Sequence, residues 1–271
     1  MSAITNKYPL FTIITVTLNN FVGLKRTQQS VDEQTSQDFE WIVIDGESED
    51  QTIDFLRELR SNTRNTQFPF TFYSQKDDGI YDAMNIGISK AKGRYIIFLN
   101  AGDSFANHTV LEEITPITEK KPDFIYGDAL EPDEDGTLHN KKARRYKDAA
   151  LGMFTHHQSM FYNRLKIRDE KLHYSLLYLI ASDYDFTLRF LQKAQKCSYY
   201  AKPICIFEQG GISQQNASLG RREQFVIREK LGLVSQARNV QIYLMQYLSW
   251  MLKNKAPALY RWLKSREQSN E

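Results

Sequence analysis

Between Lys76 and Asp103 the chain reads KDDGIYDAMNIGISKAKGRYIIFLNAGD. An acidic, Gly-punctuated turn (Asp77-Asp78-Gly79) opens a helical segment. A second turn at Lys92-Gly93 leads into the apolar run Tyr95-Ile96-Ile97-Phe98-Leu99, which stops at Asn100-Ala101-Gly102-Asp103. A short buried strand with polar oxygens at its carboxyl end is how α/β sheets present ligand-binding groups. Here one of those groups is a carboxylate, a hard ligand suited to Mg²⁺ or Mn²⁺. The chemistry this spacing suggests is a metal-assisted site for a nucleoside diphosphate.

Other strand ends add to it. Asp45 closes the run Glu40–Ile44 and could accept from a base or ribose. It could instead cap the next helix, but Ser48 and Asp50 are better placed for that. Thr17 and Asn19 follow the first apolar run. Asp103 alone reads as a turn or cap residue, and the convergence of three polar strand ends favours a site. Among Asp77, Asp78 and Asp82, the pair Asp78-Gly79 is expected near the ligand and the others as solvated caps. His156-His157-Gln158 precedes a strand-like Ser159–Phe161. Neighbours on a strand face opposite ways, which excludes a two-His metal site and leaves one His to bind a hydroxyl, a phosphate or the metal. Ser182-Asp183-Tyr184-Asp185 opens another helix. One of its two acids would be the N-cap and the other a general base, which must reach the substrate hydroxyl. The basic cluster Lys141, Lys142, Arg144, Arg145 reads by default as solvated loop charge, with phosphate contact as the alternative.

The elements that must position these groups alternate. Phe11–Val16, Glu40–Ile44, Phe70–Tyr73, Tyr95–Leu99 and Phe124–Tyr126 read as buried strands. Asn19–Thr35, Gln51–Leu59 and Tyr81–Ala91 read as helices. This β-α-β order predicts a mostly parallel sheet with helices on both faces. Asp128–Lys147 reads as a hairpin or loop leading to a second half. Ile180–Leu191 is helical, Ser213–Gly220 loop-like, and everything from Arg221 onward helical. The division expected is residues 1–215 as one domain (1–127 for the nucleotide, 128–215 for the acceptor) and 216–271 as a helical extension.

Composition sets bounds. The 271 residues carry a net charge of +2, with 41% hydrophobic and 25% charged residues, ordinary for a globular protein and no sign of a nucleic-acid binder. Cys197 and Cys205 are too few and too far apart for a CxxC site and read as reduced cytosolic thiols. Lys7 and Pro9 interrupt any signal peptide, and no run of eighteen apolar residues spans a membrane. In the extension, Val240, Tyr243, Leu244, Tyr247, Leu248 and Met251 fall at helical spacing. From Gln236 on, six Lys/Arg face two Glu. Such a stripe either lies in an anionic bilayer interface or packs on the domain, perhaps at a dimer contact.

The sequence resembles the family-2 glycosyltransferases, over about four-fifths of its length. The elements that carry the resemblance are TIITVTLNN (Thr12–Asn20), WIVIDGESEDQT (Trp41–Thr52), Asp77–Asp103, HQSMF (His157–Phe161), SDYDFTLRF (Ser182–Phe190) and GGIS (Gly210–Ser213). The nearest subgroup builds colanic acid, related exopolysaccharides or O-antigens. The resemblance implies the GT-A fold, a Rossmann-like α/β arrangement, and residue roles. Thr17, Asn19, Asp45, Asp78 and Asn100 would hold the nucleotide of a donor that is most often a UDP-sugar. Asp103 would bind the divalent metal, Mn²⁺ or Mg²⁺. Asn100 and Gly102 stand where most of the family has the other acids of a D-x-D-D run, so one carboxylate remains and metal affinity should be low. Asp183 would be the general base of an inverting transfer. Ser182 replaces a Glu there, so a supporting carboxylate is missing unless Asp185 substitutes. His157 and Gln158 would touch the acceptor or the phosphates. The implied acceptor is a sugar on a polyprenyl diphosphate at the cytoplasmic membrane face, with Tyr243, Trp250, Lys253, Lys255 and Trp262 as membrane contacts. Two rivals stand beside this reading. A nucleotidyltransferase would want a better Gly-rich basic loop than NNFVGLKR (Asn19–Arg26), and a non-catalytic nucleotide-sugar sensor or assembly subunit stays open because acids are missing at Asn100, Gly102 and Ser182.

Overall fold

The computed structural model describes residues 8–62, 68–133, 135–208, 210–211 and 215–256. Its first strands are β1 (Phe11–Thr17), β2 (Phe39–Asp45), β3 (Phe70–Ser74) and β4 (Tyr95–Phe98). They run parallel in the order β3-β2-β1-β4. β1 and β2 are buried along their whole length. Their β-branched and aromatic residues suit a strand covered on both faces. Side chains split by period two. Ile14, Val16, Ile42, Ile44, Ile96 and Phe98 enter one core, and Phe11, Ile13, Trp41, Val43, Tyr95 and Ile97 enter the other.

Helices cover both cores. α1 (Phe21–Asp32) places Leu24 and Val31 in the second core, and α2 (Thr52–Asn62) adds Leu56. α3 (Ile80–Lys90) places Ala83 and Met84 in the first. Its Gly87 lets the helix approach β1, because a Cβ there would meet Ile14 Cγ2 at 2.5 Å. The parallel register sets Thr17 opposite Asp45 and Asp45 opposite Ser74, so these residues finish level at one edge.

Beyond β4 the strand directions become mixed. β5 (Ser104–Phe105), β6 (Phe124–Pro132), β7 (Leu138–Lys141), β8 (Met160–Asn163) and β9 (Cys197–Ile206) complete nine strands among the described residues. β8 lies antiparallel between β4 and β6, β9 is parallel to β6, and β5 is antiparallel to β9. β6 and β7 form the hairpin expected in Asp128–Lys147. Its basic residues are held locally: Lys141 by Glu131, Arg144 by the Gly152 and Met153 carbonyls, Arg145 by Asp148. The remaining helices are α4 (Val110–Thr118), α5 (Arg164–Asp169), α6 (Ser182–Lys193), α7 (Ala217–Lys230) and α8 (Gln236–Lys255).

Two sequence expectations change. The polar Ser213–Gly220 segment is already helical from Ala217, and the C-terminal helix is two helices broken at Gly232, whose φ is +60°. The expected stripe on α8 also faces out. Val240, Leu244, Tyr247 and Leu248 are exposed, while Asn239 and Ile242 are buried. Trp262 and the Lys253 side chain lie outside what is described, as does Ser213. No helix among the described residues is long and apolar enough to cross a membrane.

Candidate active site

The carboxyl edge of β1 and β2 is tied together by short polar contacts. Asp45 is fully buried, and it accepts from Ser48 N (3.1 Å) and Ser74 Oγ (2.7 Å). Asn19, at φ +50°, donates its N–H to Ser48 Oγ (2.8 Å) and accepts from Glu49 N through Oδ1 (2.7 Å). Asn19 and Asp45 therefore shape the loop after β2. Thr17 Oγ1 is buried and has no partner among the described residues, an open hydrogen-bonding group at the strand end. Asp78 is exposed, and its N–H reaches Asp82 Oδ2 at 3.2 Å. Its neighbour Asp77 leans in. A Cβ on Gly46 would lie 2.9 Å from Asp77 Oδ2, and burial with the nearby Asp82 and Asp45 charges raises the Asp77 carboxyl above its ordinary range.

The turn after β4 is clamped from α1. Asn20 Nδ2 donates to Ala101 O (3.0 Å), and the Thr27 hydroxyl accepts from Gly102 N (3.0 Å) and donates to Asp103 O (2.7 Å). Gly102 has φ +107°, a conformation that suits glycine. Asp103 is buried, with Oδ1 accepting from Glu208 N and Oδ2 from Gln158 Nε2, both at 2.9 Å. Burial nevertheless holds its carboxyl up at about 7, with the Glu208 charge adding to the rise. Gln158 thus sits on Asp103. His157 does not. It lies in the core, stacked on Phe98 and sharing a 2.7 Å hydrogen bond with Tyr174 OH, and burial pushes its pKa down to about 3. His156 turns the other way, onto Glu131 (2.6 Å) and the Phe207 ring (4.1 Å). The two histidines diverge from a 3-10 turn rather than from strand alternation.

A third group stands at the start of α6. Asp183 accepts from Tyr184 N (2.7 Å), and burial raises its carboxyl to about 6, helped by the Glu223 charge. Asp185 does not supply the absent supporting acid, because it pairs with Arg189 (2.7 Å) on the same helix. Glu223 of α7 is the carboxylate near Asp183. It accepts from the backbone N–H groups of Leu179 (2.9 Å), Ile180 (2.9 Å) and Ala181 (2.8 Å). Tyr81 OH donates to Ile180 O (2.6 Å), so α3 and α7 both hold the segment that leads into Asp183.

No group of three or more His, Cys, Asp or Glu able to hold a metal occurs among the described residues. The Asn100–Asp103 turn still fits a divalent cation. Among the described residues its buried carboxylate has no cationic partner in contact, and Asn100 Oδ1 is buried without a hydrogen-bond partner. Oxygen donors of this kind suit Mn²⁺ or Mg²⁺.

Residues 12–208 match the model of Glycosyl transferase family 2. The chain belongs to that family. A Mycobacterium bovis protein named as a PGL/p-HBAD biosynthesis glycosyltransferase is 30% identical to it, over 83% of this chain and 87% of the relative. S. aureus TarS, solved in complex with UDP-GlcNAc, superposes with a TM-score of 0.69 at 16% identity, over 91% of this chain and 76% of that one. The mannosyltransferase PcManGT of Pyrobaculum calidifontis, in complex with GDP-Man and Mn²⁺, gives 0.65 at 12% identity, over 98% and 82%. This family-2 glycosyltransferase therefore has the GT-A fold, the α/β arrangement that its sequence implied. Sequence reasoning did not single out Glu223, Glu208, Asn20 or Thr27. Their partners lie 42 to 105 residues away, and no local pattern marks such pairings.

Proposed function

We propose that this glycosyltransferase moves a sugar from a nucleotide-sugar, a UDP-sugar by preference, to a hydroxyl of a lipid-linked or oligosaccharide acceptor, with inversion, in the synthesis of a bacterial surface polysaccharide. The observation that carries the reading is Asp183, a carboxylate raised to about 6 at the head of α6 and held in place through Glu223 and Tyr81. A base of that strength is ionised at neutral pH and close enough to it to accept a proton effectively. Asp183 takes the acceptor hydroxyl proton. The oxygen forms its bond to the anomeric carbon from the face opposite the nucleotide, and the bond to the diphosphate oxygen breaks.

Thr17, Asn19, Asp45 and Asn100 frame the nucleotide side, with Asp77 and Asp78 on the adjoining turn. A divalent Mn²⁺ or Mg²⁺ held by Asp103 would offset the charge gathering on the departing diphosphate. Gln158 keeps Asp103 oriented. TarS binds UDP-GlcNAc and PcManGT binds GDP-Man with Mn²⁺, which supports a nucleotide-sugar donor and a metal. The exposed leucines described below support a polyprenyl-diphosphate-linked acceptor at the inner membrane face.

The test is release of free nucleotide from UDP-, GDP- and dTDP-sugars with Mn²⁺ or Mg²⁺ and with chelator, supplied with membrane-extracted lipid acceptors. Metal-dependent release from one donor, lost in Asp183→Asn with donor binding kept, supports the reading. Donor binding without turnover in any condition would instead describe a nucleotide-sugar sensor.

A further inference from the structure

Gly102 occupies a position where most of the family carries an acid, and something else fills the space. A side-chain carbon built on Gly102 would lie 1.6 Å from Glu208 Oε2 and 2.6 Å from Glu208 Cδ. The Glu208 carboxylate thus occupies the volume that a side chain at 102 would take. The same residue donates its N–H to Asp103 Oδ1 at 2.9 Å, so Glu208 contacts both ends of the Gly102-Asp103 step. Glu208 follows β9, whose pairing with β5 and β6 carries the chain to this turn.

We propose that Glu208 is a metal ligand of this enzyme, supplying from the end of β9 the carboxylate that Gly102 lacks. The inference rests on the metal-assisted reading above. Two further observations point to a cation there. Asn100 Oδ1, in the same turn, is buried without a partner among the described residues. A cation is also already seated on Glu208: Arg26 Nη1 lies 2.9 Å from Oε1. The Arg26 side chain is 54% exposed and that of Glu208 34%. An ion pair so open to water is weak, so a divalent ion can displace the guanidinium. Arg26 then holds the cation's place in the metal-free protein. A set of Asp103, Glu208 and Asn100 consists wholly of oxygen donors, which matches Mn²⁺ or Mg²⁺ and disfavours softer metals.

The experiment titrates Mn²⁺ into the full chain with UDP present, following the free-Mn²⁺ EPR signal, for wild type, Glu208→Gln and Arg26→Gln. Melting curves in EDTA run alongside. Glu208→Gln should weaken Mn²⁺ binding about tenfold or more while leaving the EDTA melting curve in place. Arg26→Gln should bind Mn²⁺ as tightly as wild type or more tightly, since it removes the competing cation. Wild-type affinity in Glu208→Gln overturns the inference and leaves the glycosyltransferase reading intact. Equal weakening in both variants also overturns it, because Glu208 would then act as a strut through Arg26. If wild type takes up no Mn²⁺ yet releases nucleotide from a donor sugar, the metal inference fails alone. Failure of both measurements sinks the wider reading as well.

Discussion

Asp183 holds its proton up to about pH 6 because burial costs the charged form more than the Tyr184 N–H bond returns. Two outcomes follow for one variant. As a base, Asp183 must be ionised, so kcat should fall tenfold per pH unit below about 6 and level off above it. Asp183→Asn should remove that limb and lower kcat by roughly 10²–10⁴-fold, with the donor Kd little changed. Isothermal titration and a pH–rate profile check both. Stability should move the other way. The folded pKa lies above the ordinary 3.8, so this group's contribution is fully present below about pH 4 and is lost as pH rises through about 6. Asp183→Asn carries no such loss. At pH 8 it should therefore be more stable than wild type by roughly 2–3 kcal/mol, and the gap should close near pH 4. Urea melts at the two pH values measure it. Equal gaps at both would mean that the carboxylate is not held against its ionisation.

At the scale of elements, the site depends on contacts between segments far apart in the chain. Glu223 of α7 satisfies three backbone N–H groups ahead of α6. Cutting it back to Ala leaves the buried Ala181 N–H and the part-buried Leu179 and Ile180 N–H groups without their acceptor. Glu223→Ala should cost about 3 kcal/mol and should lower kcat more than the donor Kd, because it loosens the segment that aims Asp183. Denaturant melts and steady-state kinetics test it, and unchanged kcat would show that Asp183 is positioned without α7.

The parallel half of the fold was legible because FTIITV, WIVID and YIIFL are short, apolar and bounded by turns. β9 was not, because CSYYAKPICI carries Lys202 and Pro203 inside it. The structure accommodates Pro203 at a register break between β6 and β9, where the ladder does not need its N–H. The positions of Asp45, at the end of β2, and Asp103, in the turn after β4, could be read from the apolar runs before them. Asp78 and Asp77 differ by one position on one turn, and only the fold shows which leans toward Gly46. Neither charge nor spacing shows that His157 stacks on Phe98, or that Glu208 would fill the side-chain space at Gly102.

For the whole molecule, α8 leaves much of its apolar stripe in water. It docks on the body through the buried Ile242, the Tyr243 ring against Phe225 (5.8 Å) and several polar residues. Asn239 Oδ1 accepts from the buried Arg228 (2.7 Å), and Asn239 Nδ2 donates to Phe225 O (3.0 Å). Gln246 donates to Leu151 O (3.1 Å) and bonds Gln224 (3.0 Å). Its other apolar residues point to solvent, Leu244 at 52% and Leu248 at 50% exposure, with Val240 and Tyr247 alongside. The loop that precedes Asp183 adds Leu177 at 79% and Leu179 at 69%. A helix normally turns its apolar stripe to the core, so this one is shaped for an apolar neighbour. An acceptor on a lipid carrier would place the bilayer next to Asp183, and Arg221 over the Trp250 ring (4.9 Å) adds positive charge suited to anionic headgroups. Wild type should therefore float with anionic vesicles. The double change Leu244→Ser and Leu248→Ser should bind at least about tenfold more weakly, since each half-exposed Leu loses roughly 1 kcal/mol of transfer, with no change in melting temperature. Persistent flotation would remove α8 from the membrane contact. A wild-type dimer that dissociates in the variant would show a second copy covering the stripe instead.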